Sequence, residues 1–344
     1  MLPMEFTPIT TEQDWDALSQ EWDQLFNKSF MQVPFLSFAY LRAWWQTLGG
    51  AEWQPETSRL QIITARDNGS LIGIAPLFQS SKPGFEPALR FIGSVEVSDY
   101  LDFLAEPERL PEFLSGLLSF VQNDPTILNK TLDLYNLLDD SISLPALQAA
   151  SEAAGWSFQS DRLQPSPYIL LAPTWEEYLA GLSKKQRHEI RRKLRNAEAR
   201  HETDWYVVQD QDQLRPDMDA FIAMMRQDPN KEAFLNDAMY QHLQATAQLA
   251  FDQHRLQLSF LTMDGHKTAS YLSLISQNKI WVYNSAWESA YAPCSPGWVL
   301  LAKVIQWGIG QGFREVDMMR GDEGYKYKFG AVDRFVMHAI CEPK

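Results

Sequence analysis

Apolar positions along this chain recur either at helical spacing or in alternation, and the two patterns predict its secondary structure. Helical spacing predicts helices over residues 11–26, 34–49, 111–121, 144–154, 174–180, 184–200, 218–226, 237–251 and 296–309. Alternating or continuous apolar runs predict strands near Leu89 and over residues 59–66, 71–78, 132–137, 205–208, 256–263, 268–275, 279–287 and 313–319. Helices and strands are interspersed, so the pattern predicts a mixed α/β chain.

Tight-turn residues join several of these strands and reveal a weak internal repeat. Asp67-Asn68-Gly69 separates two strands, and Asp264-Gly265 and Gln277-Asn278 join three more, as expected for β-hairpins. The stretch RLQIITARDNGSLIGIAPL from Arg59 matches RLQLSFLTMDGHKTASYLSL from Arg255 in strand pattern and turn chemistry. Each copy follows a pair of helices, so the repeat predicts two similar domains in tandem, residues 1–165 and 166–344.

Composition supports a globular two-domain protein and argues against a nucleic-acid binder. The chain has 344 residues, 45% of them hydrophobic, and carries a net charge of −14. Residues 1–165 hold 9 Lys and Arg against 22 Asp and Glu, whereas residues 166–344 hold 21 against 22. Because phosphate contacts need Lys and Arg, this balance excludes general DNA binding and makes tRNA a poor partner. Any anion site must therefore be local.

The expected location is the cytoplasm. Two cysteines, Cys294 and Cys341, favour a reducing compartment over a disulfide framework. The start MLPMEFTPITTEQDWD lacks the basic and apolar regions of a signal peptide. No uncharged apolar run approaches the ~20 residues of a membrane span.

Residues 296–330 hold the strongest candidate for chemistry. Pro296 and Gly297 open a helix, and the free N–H groups of a helix start attract anions, so the turn 292–297 is a candidate phosphate or pyrophosphate site. A short strand follows the helix. Polar residues then crowd the end of that strand, where α/β proteins often place their active sites: Asp317, Arg320, Asp322, Glu323, Tyr325, Lys326 and Lys328.

The polar residues after this strand have two interpretations. They form either a structural ion-pair network or a reactive group for acyl transfer to an amine, which needs a proton acceptor, oxyanion stabilisation and an acid for the leaving group. In the second interpretation Asp317 or Glu323 is the acceptor and Tyr325 the acid. A strand N–H near residues 283–285 is then the oxyanion donor. The chain lacks Walker, G-x-S-x-G and H-E-x-x-H motifs, and its six histidines are scattered, so no metal site is predicted.

The helix over residues 184–200 is unexpectedly basic for an acidic protein. It carries eight Lys and Arg, and Ser183 with Gln186 forms a capping-box pattern at its start. One interpretation is a solvated basic face around an apolar seam. The other is an electropositive surface beside a phosphate-bearing ligand, with Arg187, Arg191 and Arg195 on one face.

Two blocks of sequence resemble a known family. YLAGLSKKQRHEIRRKLRNAE and SPGWVLLAKVIQWGIGQGFREVDMMRGDEGYKYKFG are similar to GNAT-type N-acetyltransferases related to the CelD-like proteins of cellulose and exopolysaccharide clusters. PFLSFAYLRAWWQTLG and VSDYLDFL fit the same family, and the resemblance covers nearly the whole chain. More distantly, YKYKFG is similar to the motif of Fem-type aminoacyltransferases, which have two GNAT-like domains in tandem.

The resemblance implies two mixed, mostly antiparallel GNAT domains and transfer of an acyl group from acetyl-CoA or another acyl-CoA to an amine acceptor. It places Ser295, Gly297 and Trp298 at the pyrophosphate. Asp317, Arg320, Tyr325 and Lys326 fall on the family's recurring positions. The turn 292–297 lacks the basic residue and paired glycines of the usual GNAT loop, and the basic helix would replace the missing charge.

Two alternatives to this function stay open. One is a Fem-like transferase that uses aminoacyl-tRNA, which ranks second because the chain is acidic. The other is a non-catalytic scaffold in a polysaccharide-synthesis assembly.

Overall fold

The computed structural model describes residues 4–80 and 86–344, and these form two compact units. The first unit comprises Met1–Gln164 with Arg334–Lys344, and the second comprises Pro165–Asp333. Residues 1–3, at the start of the stretch in which no signal peptide is predicted, lie outside the described residues. No helix within the described ranges is both long and apolar enough to cross a membrane.

The first unit combines short helices with strands. Its helices are α1 (Glu12–Ala17), α2 (Ser19–Lys28), α3 (Phe38–Thr47), α4 (Leu110–Asn123) and α5 (Ser143–Ala154), with 3-10 turns at Pro34–Leu36, Ala51–Trp53 and Pro55–Thr57. Its strands before the second unit are β1 (Glu5–Ile9), β2 (Arg59–Leu60), β3 (Ile62–Asp67), β4 (Ser70–Ala75), β5 (Leu77–Ser80), β6 (Ala88–Phe91), β7 (Leu104–Ala105), β8 (Leu132–Leu138) and β9 (Trp156–Pro165).

The second unit has longer elements. Its helices are α6 (Trp175–Gly181), α7 (Lys184–Arg200), α8 (Gln211–Met225), α9 (Pro229–Phe234), α10 (Asp237–Asp252), α11 (Pro296–Gly310) and α12 (Gly324–Lys328), with a 3-10 helix at Ser289–Cys294. Its strands are β10 (Tyr168–Leu170), β11 (Thr203–Val207), β12 (Leu256–Met263), β13 (His266–Ser276), β14 (Lys279–Trp287) and β15 (Glu315–Asp317). The chain then ends with β16 (Phe335–Pro343).

The mixed α/β class is confirmed, although the first unit divides its strands between two sheets. One sheet has the order β1-β3-β4-β7, and the other has the order β2-β5-β6-β8-β16-β9. The predicted hairpin at Asn68-Gly69 joins β3 to β4, and both turn residues adopt positive φ, as a tight hairpin turn requires.

The last strand corrects the division of the chain at residues 165 and 166. The sequence predicts that residues 334–344 belong to the second domain. In the structure they belong to the first unit. The reason is pairing, because β16 runs antiparallel to β8 from Val336 opposite Leu138 to Cys341 opposite Leu132. Contacts of this sequence separation carry no local signal, so periodicity does not reveal them.

The second unit has one six-stranded sheet, ordered β10-β15-β14-β13-β12-β11. The strands β11 to β14 form an antiparallel meander, whereas β15 runs parallel to β14. Helix α11 packs on this sheet through an apolar face that includes Val304 and Ile305, both 0% exposed. This packing fixes the start of α11 against the sheet.

Several helix boundaries differ from those that the pattern predicts. The helix predicted over 11–26 is interrupted at Leu18, and the one predicted from Pro34 begins at Phe38 after a 3-10 turn. The polar stretch after the last predicted strand of this unit contains a short helix that the apolar pattern does not predict, because residues 324–328 form α12. The capping box is present at the start of α7, where Ser183 accepts from the Gln186 N–H and Gln186 accepts from the Ser183 N–H.

Buried His242 in α10 is expected to make the second unit less stable in acid. Burial lowers its pKa from 6.5 to about 4, so the unfolded chain takes up a proton that the folded unit resists. The free energy of unfolding is therefore highest above pH 6.5. It decreases as the pH falls toward 4, by about 3 kcal/mol at most. Denaturant unfolding of the wild type and of His242→Gln across this range should diverge; parallel curves would contradict the assignment.

Candidate functional site

A cavity of about 320 Å³ lies in the second unit beside the start of α11. Strand β14, the 3-10 helix before α11, the first turn of α11, and single residues from α7, β13 and α12 all contribute to it. The lining residues are Lys193, Tyr271, Ser285, Ala286, Trp287, Ala292, Ser295, Pro296, Gly297, Trp298 and Tyr325. Four of the residues predicted from sequence therefore meet here: Ser295, Gly297, Trp298 and Tyr325.

The cavity forms because β14 extends beyond the end of β15, its parallel neighbour. Strand β15 pairs with β14 only from Lys279 to Trp281 and ends at Asp317, whereas β14 continues to Trp287. A bulge in the pairing with β13, between Leu272 and Ser273, interrupts the ladder near the same point. The last residues of β14 are thus free to line a cavity on the side that β15 has left.

The first turn of α11 offers fewer N–H groups than the sequence suggests. Pro296 has no N–H, and the Trp298 and Val299 N–H groups both donate to the Ser295 carbonyl, at 3.0 and 3.2 Å. Ser295 precedes the helix in the left-handed conformation, with φ 54° and ψ 55°. Within this turn the Gly297 N–H remains available to an anion. The helix start alone is therefore expected to bind an anion only weakly.

Lys193 of α7 supplies the positive charge at this helix start. Its Nζ donates to Ser295 Oγ at 2.9 Å and lies 4.1 Å from the centre of the Trp298 ring. Its nearest carboxylate, that of Glu189, is 3.9 Å away. Burial lowers the pKa of this ammonium group below its usual value. A partly buried cation held by a neutral hydroxyl and an indole ring is suited to binding an anion.

Lys193 lies on a different face of α7 from the arginines that the sequence pattern favours. The predicted face contained Arg187, Arg191 and Arg195, whereas Lys193 lies in line with the buried residues Ile190 and Ala197. A lysine three residues after one buried position and four before another must lie beside the apolar seam. That spacing was the available signal.

Arg187 and Arg191 are engaged elsewhere. The Nη1 atom of Arg187 donates to the carbonyls of Leu179, Ala180 and Leu182 at the end of α6, at 3.2 to 3.4 Å. Arg191 forms an exposed ion pair with Glu176 at 2.8 Å. Neither arginine is among the residues that line the described cavity.

Tyr325 contributes an ionisable hydroxyl to the lining of the same cavity. It is hydrogen-bonded to the side chains of Tyr271 and Ser285, and the Tyr271 hydroxyl in turn donates to the Gly297 carbonyl at 3.3 Å. Burial is the main cause that raises the pKa of Tyr325, to about 12, and the negative charge of Glu323 is the second cause. The hydroxyl is therefore neutral at physiological pH and can donate a proton.

The remaining predicted residues surround the loop between β15 and α12. Lys326 is 2% exposed, and its Nζ donates to the carbonyls of Met319, Arg320 and Gly321 at 3.0 to 3.2 Å. It also pairs with Glu323 at 2.8 Å. These contacts suit a structural cation that fixes the loop and thereby the start of α12. Tyr325 lies in the first turn of that helix.

Asp317 and Arg320 lie outside the set of cavity-lining residues in the described structure. Asp317 is 0% exposed, and its Oδ1 accepts from the Met319 N–H at 2.8 Å. This bond stabilises the turn after β15, where Met319 has a φ of 58°. Arg320 contributes its carbonyl oxygen to Lys326. The sequence suggests Asp317 and Glu323 as proton acceptors. Glu323 is exposed, and it is closer to Tyr325 in sequence than Asp317 is.

A second lysine, Lys231 of α9, fixes the end of β14. Its Nζ donates to Asn284 Oδ1 at 2.9 Å and also to the Ser285 carbonyl. Burial lowers the pKa of Lys231, and the negative charges of Asp228 and Glu323 oppose this effect. The Ser285 N–H, one of the predicted oxyanion donors, already donates to Asn284 Oδ1 at 2.9 Å. Sequence analysis did not predict α9 and so missed this residue.

The effect of Glu323 on Tyr325 can be measured directly. Glu323→Gln removes a negative charge, so the pKa of Tyr325 is expected to fall, by less than about one unit because the carboxylate is exposed to solvent. Ultraviolet phenolate titration, taken as the difference between proteins with and without Tyr325→Phe, checks this. The exposed Glu202→Gln is the control, and equal midpoints in both variants would contradict the assigned cause.

Comparison with known proteins identifies the kind of domain that carries this cavity. Residues 184–327 match the family model described as "Acetyltransferase (GNAT) domain". The match spans Lys193, the start of α11 and Tyr325. No curated protein matches the chain.

Solved structures with a similar fold cover nearly the whole chain. FemX has a TM-score of 0.65 at 11% identity, over 99% of this chain and 97% of that chain. The C-terminal domain of a putative lysylphosphatidylglycerol synthetase from Agrobacterium fabrum has a TM-score of 0.56 at 9% identity, over 95% and 92%. A tandem GNAT protein from the clavulanic acid biosynthesis pathway has a TM-score of 0.51 at 12% identity, over 98% of both chains.

At these identities the matches show the fold alone, and they confirm the predicted class of two tandem GNAT-like domains. Support for an N-acyltransferase comes from the family model over residues 184–327. The resemblance to CelD-like proteins in particular stays a prediction.

Proposed function

We propose that the second unit binds an acyl-CoA and transfers its acyl group to an amine. One observation carries the proposal: the cavity joins a cation at a helix start, Lys193 beside Ser295, to a neutral proton donor, Tyr325. An anionic carrier needs the first, and a thiolate leaving group needs the second.

The carrier's phosphates belong at the start of α11. Lys193 Nζ and the Gly297 N–H are the donors there, and together they replace the basic residue that the turn 292–297 lacks. A lysine binds a phosphate as a point charge and needs no planar geometry. Its present contacts are a hydroxyl and an indole face, with the Glu189 carboxylate as an ion-pair partner at 3.9 Å.

The reacting group belongs between Tyr325 and the end of β14. The amine attacks the thioester carbonyl carbon, the C–S bond breaks, and the Tyr325 hydroxyl gives its proton to the leaving thiolate. Glu323, which is exposed beside Tyr325, takes the proton that the attacking amine loses. Lys326, Asp317 and Arg320 support this arrangement by fixing the loop. Exposed Trp287 borders the space in which the amine would approach.

Calorimetric titration with acetyl-CoA and with free CoA tests the donor. We expect both to bind, and release of free thiol in the presence of an amine panel then tests transfer. An amine of polysaccharide or cell-envelope metabolism is the class that the family resemblance implies. The absence of heat with folded protein would reject acyl-CoA.

One observation favours a second candidate, transfer from aminoacyl-tRNA. Helix α7 has an exposed set of basic residues on the side away from its buried seam, including Lys184, Lys185 and Arg195. Such a set would contact a nucleic-acid backbone, and the affinity for tRNA would fall steeply with salt. The net charge of −14 opposes extensive contact, so this candidate ranks second.

A further inference from the structure

Lys231 of α9 contacts β14 beyond the part of that strand that pairs with β15. The pairing with β15 ends at Trp281, so the rest of this edge of β14 has no neighbouring strand in the described sheet. The N–H and C=O groups of a strand edge need other partners. The Ser285 N–H donates to Asn284 Oδ1 at 2.9 Å, and the Ser285 carbonyl accepts from Lys231 Nζ. Side chains therefore bind the Ser285 backbone in place of a neighbouring strand.

Polar contacts, and not apolar burial, hold α9 beside β14. None of the residues Pro229–Phe234 is fully buried. Lys231 Nζ donates to Asn284 Oδ1 at 2.9 Å, and Gln227 Nε2, just before the helix, donates to Glu288 Oε2 at 2.8 Å. Because α9 adds no fully buried side chain to the core, the contact of Lys231 can be removed without opening the core.

Ser285 connects this contact to the proposed proton donor. Its side chain lines the cavity and is hydrogen-bonded to the Tyr325 hydroxyl. Burial raises the pKa of Tyr325, and the bond from Ser285 opposes that effect because it stabilises the phenolate. The same bond helps the hydroxyl to give its proton to a leaving thiolate. A shift of the Ser285 backbone would therefore weaken the acid.

The contacts of Lys231 fit an indirect role. Its ammonium group already donates to two oxygens of β14, and Lys231 is not among the residues that line the described cavity. A direct contact with the substrate is therefore not expected. Its contact with the Ser285 carbonyl instead sets the position of a residue that does line the cavity.

We infer that Lys231 is a positioning residue for acyl transfer: it holds the Ser285 backbone at the free edge of β14, so that the Ser285 hydroxyl stays bonded to Tyr325 while the thiolate leaves. Its effect on rate rests on the proposed function. The dependence of the bond between Ser285 and Tyr325 on Lys231 does not.

Kinetics of single and double variants test this role. Lys231→Met keeps the length of the side chain and removes its charge, and it should lower kcat by about tenfold, the loss of one hydrogen bond to a developing charge. The Kd for acyl-CoA should not change, because Lys193 and the Gly297 N–H remain. Ser285→Ala should cause the same loss of kcat. The double variant should lose no more than either single variant, because residues that act through one another are not additive.

Gln227→Met is the matched control, because Gln227 ties the same segment to Glu288 and not to Ser285. It should retain kcat. Asn284→Ala, which removes the oxygen that binds both Lys231 Nζ and the Ser285 N–H, is a second probe and should lower kcat as Lys231→Met does. An equal loss in Gln227→Met, or an additive loss of about 100-fold in the double variant, would overturn the positioning role.

A measurement on the resting protein separates a failure of this inference from a failure of the proposed function. In protein labelled with ¹³C at tyrosine Cζ, the NMR signal of Tyr325, assigned by its loss in Tyr325→Phe, reports the hydrogen bonds of the hydroxyl. It should shift in the same direction in Lys231→Met and Ser285→Ala, and stay unchanged in Gln227→Met. An unchanged signal in Lys231→Met overturns the positioning role, whether or not the wild type transfers acyl groups. Shifted signals in a protein without transfer would instead reject the proposed function, and with it the effect of Lys231 on rate.

Discussion

Replacing Tyr325 with phenylalanine is expected to lower kcat for acyl transfer by about 10²- to 10⁴-fold, the usual contribution of a general acid. The Kd for acyl-CoA should change little, because the lost hydroxyl acts on the leaving group and not on the carrier. The hydroxyl has a pKa of about 12, so it stays protonated through the whole working range. The pH profile of the wild type should therefore rise with deprotonation of the amine and show no falling limb below about pH 10.

Tyr327→Phe is the matched control for this experiment. Tyr327 lies in the same short helix, but its hydroxyl donates to Asp322 and Asp333 and borders no part of the described cavity. It should retain kcat. Full activity in Tyr325→Phe with the fold intact would remove the proposed acid, and the absence of any transfer by the wild type would favour the scaffold alternative.

Elements whose signals are local could be predicted from the sequence. The hairpin turn Asn68-Gly69 and the capping box of Ser183 with Gln186 depend on residues within a few positions of each other, and both occur in the structure. The cluster of Ser295, Gly297, Trp298 and Tyr325 was also foreseeable, because a helix start and a strand end are adjacent in α/β sheets.

Features that arise from distant contacts could not be predicted in this way. Strand β16 pairs with β8 across about two hundred positions of sequence, which no periodicity reports. Lys193 reaches Ser295 from a helix about a hundred residues earlier, and only the packing of α7 against α11 brings the two together. Pattern alone favoured the exposed arginines of α7, since it records which residues share a face but not what that face contacts.

Lys193→Ala is expected to raise the Kd for acyl-CoA by about 10- to 100-fold, because a charge-assisted hydrogen bond to phosphate contributes roughly 1.5–3 kcal/mol. The salt dependence of binding should also become weaker, since one charge pair with the carrier is lost. Lys193→Arg should retain much of the affinity. Calorimetry at two ionic strengths measures both effects, and thermal unfolding of each variant checks that the fold survives.

Arg191→Ala separates this assignment from the one that sequence pattern favours. Both residues are basic and both lie on α7, but Arg191 pairs with Glu176 at an exposed position, whereas Lys193 lines the cavity. Exposed ion pairs contribute little to stability, so Arg191→Ala should fold normally and bind acyl-CoA as the wild type does. A loss of affinity in Arg191→Ala without one in Lys193→Ala would mean that the carrier lies along the outer face of α7. The phosphate site at the start of α11 would then be wrong.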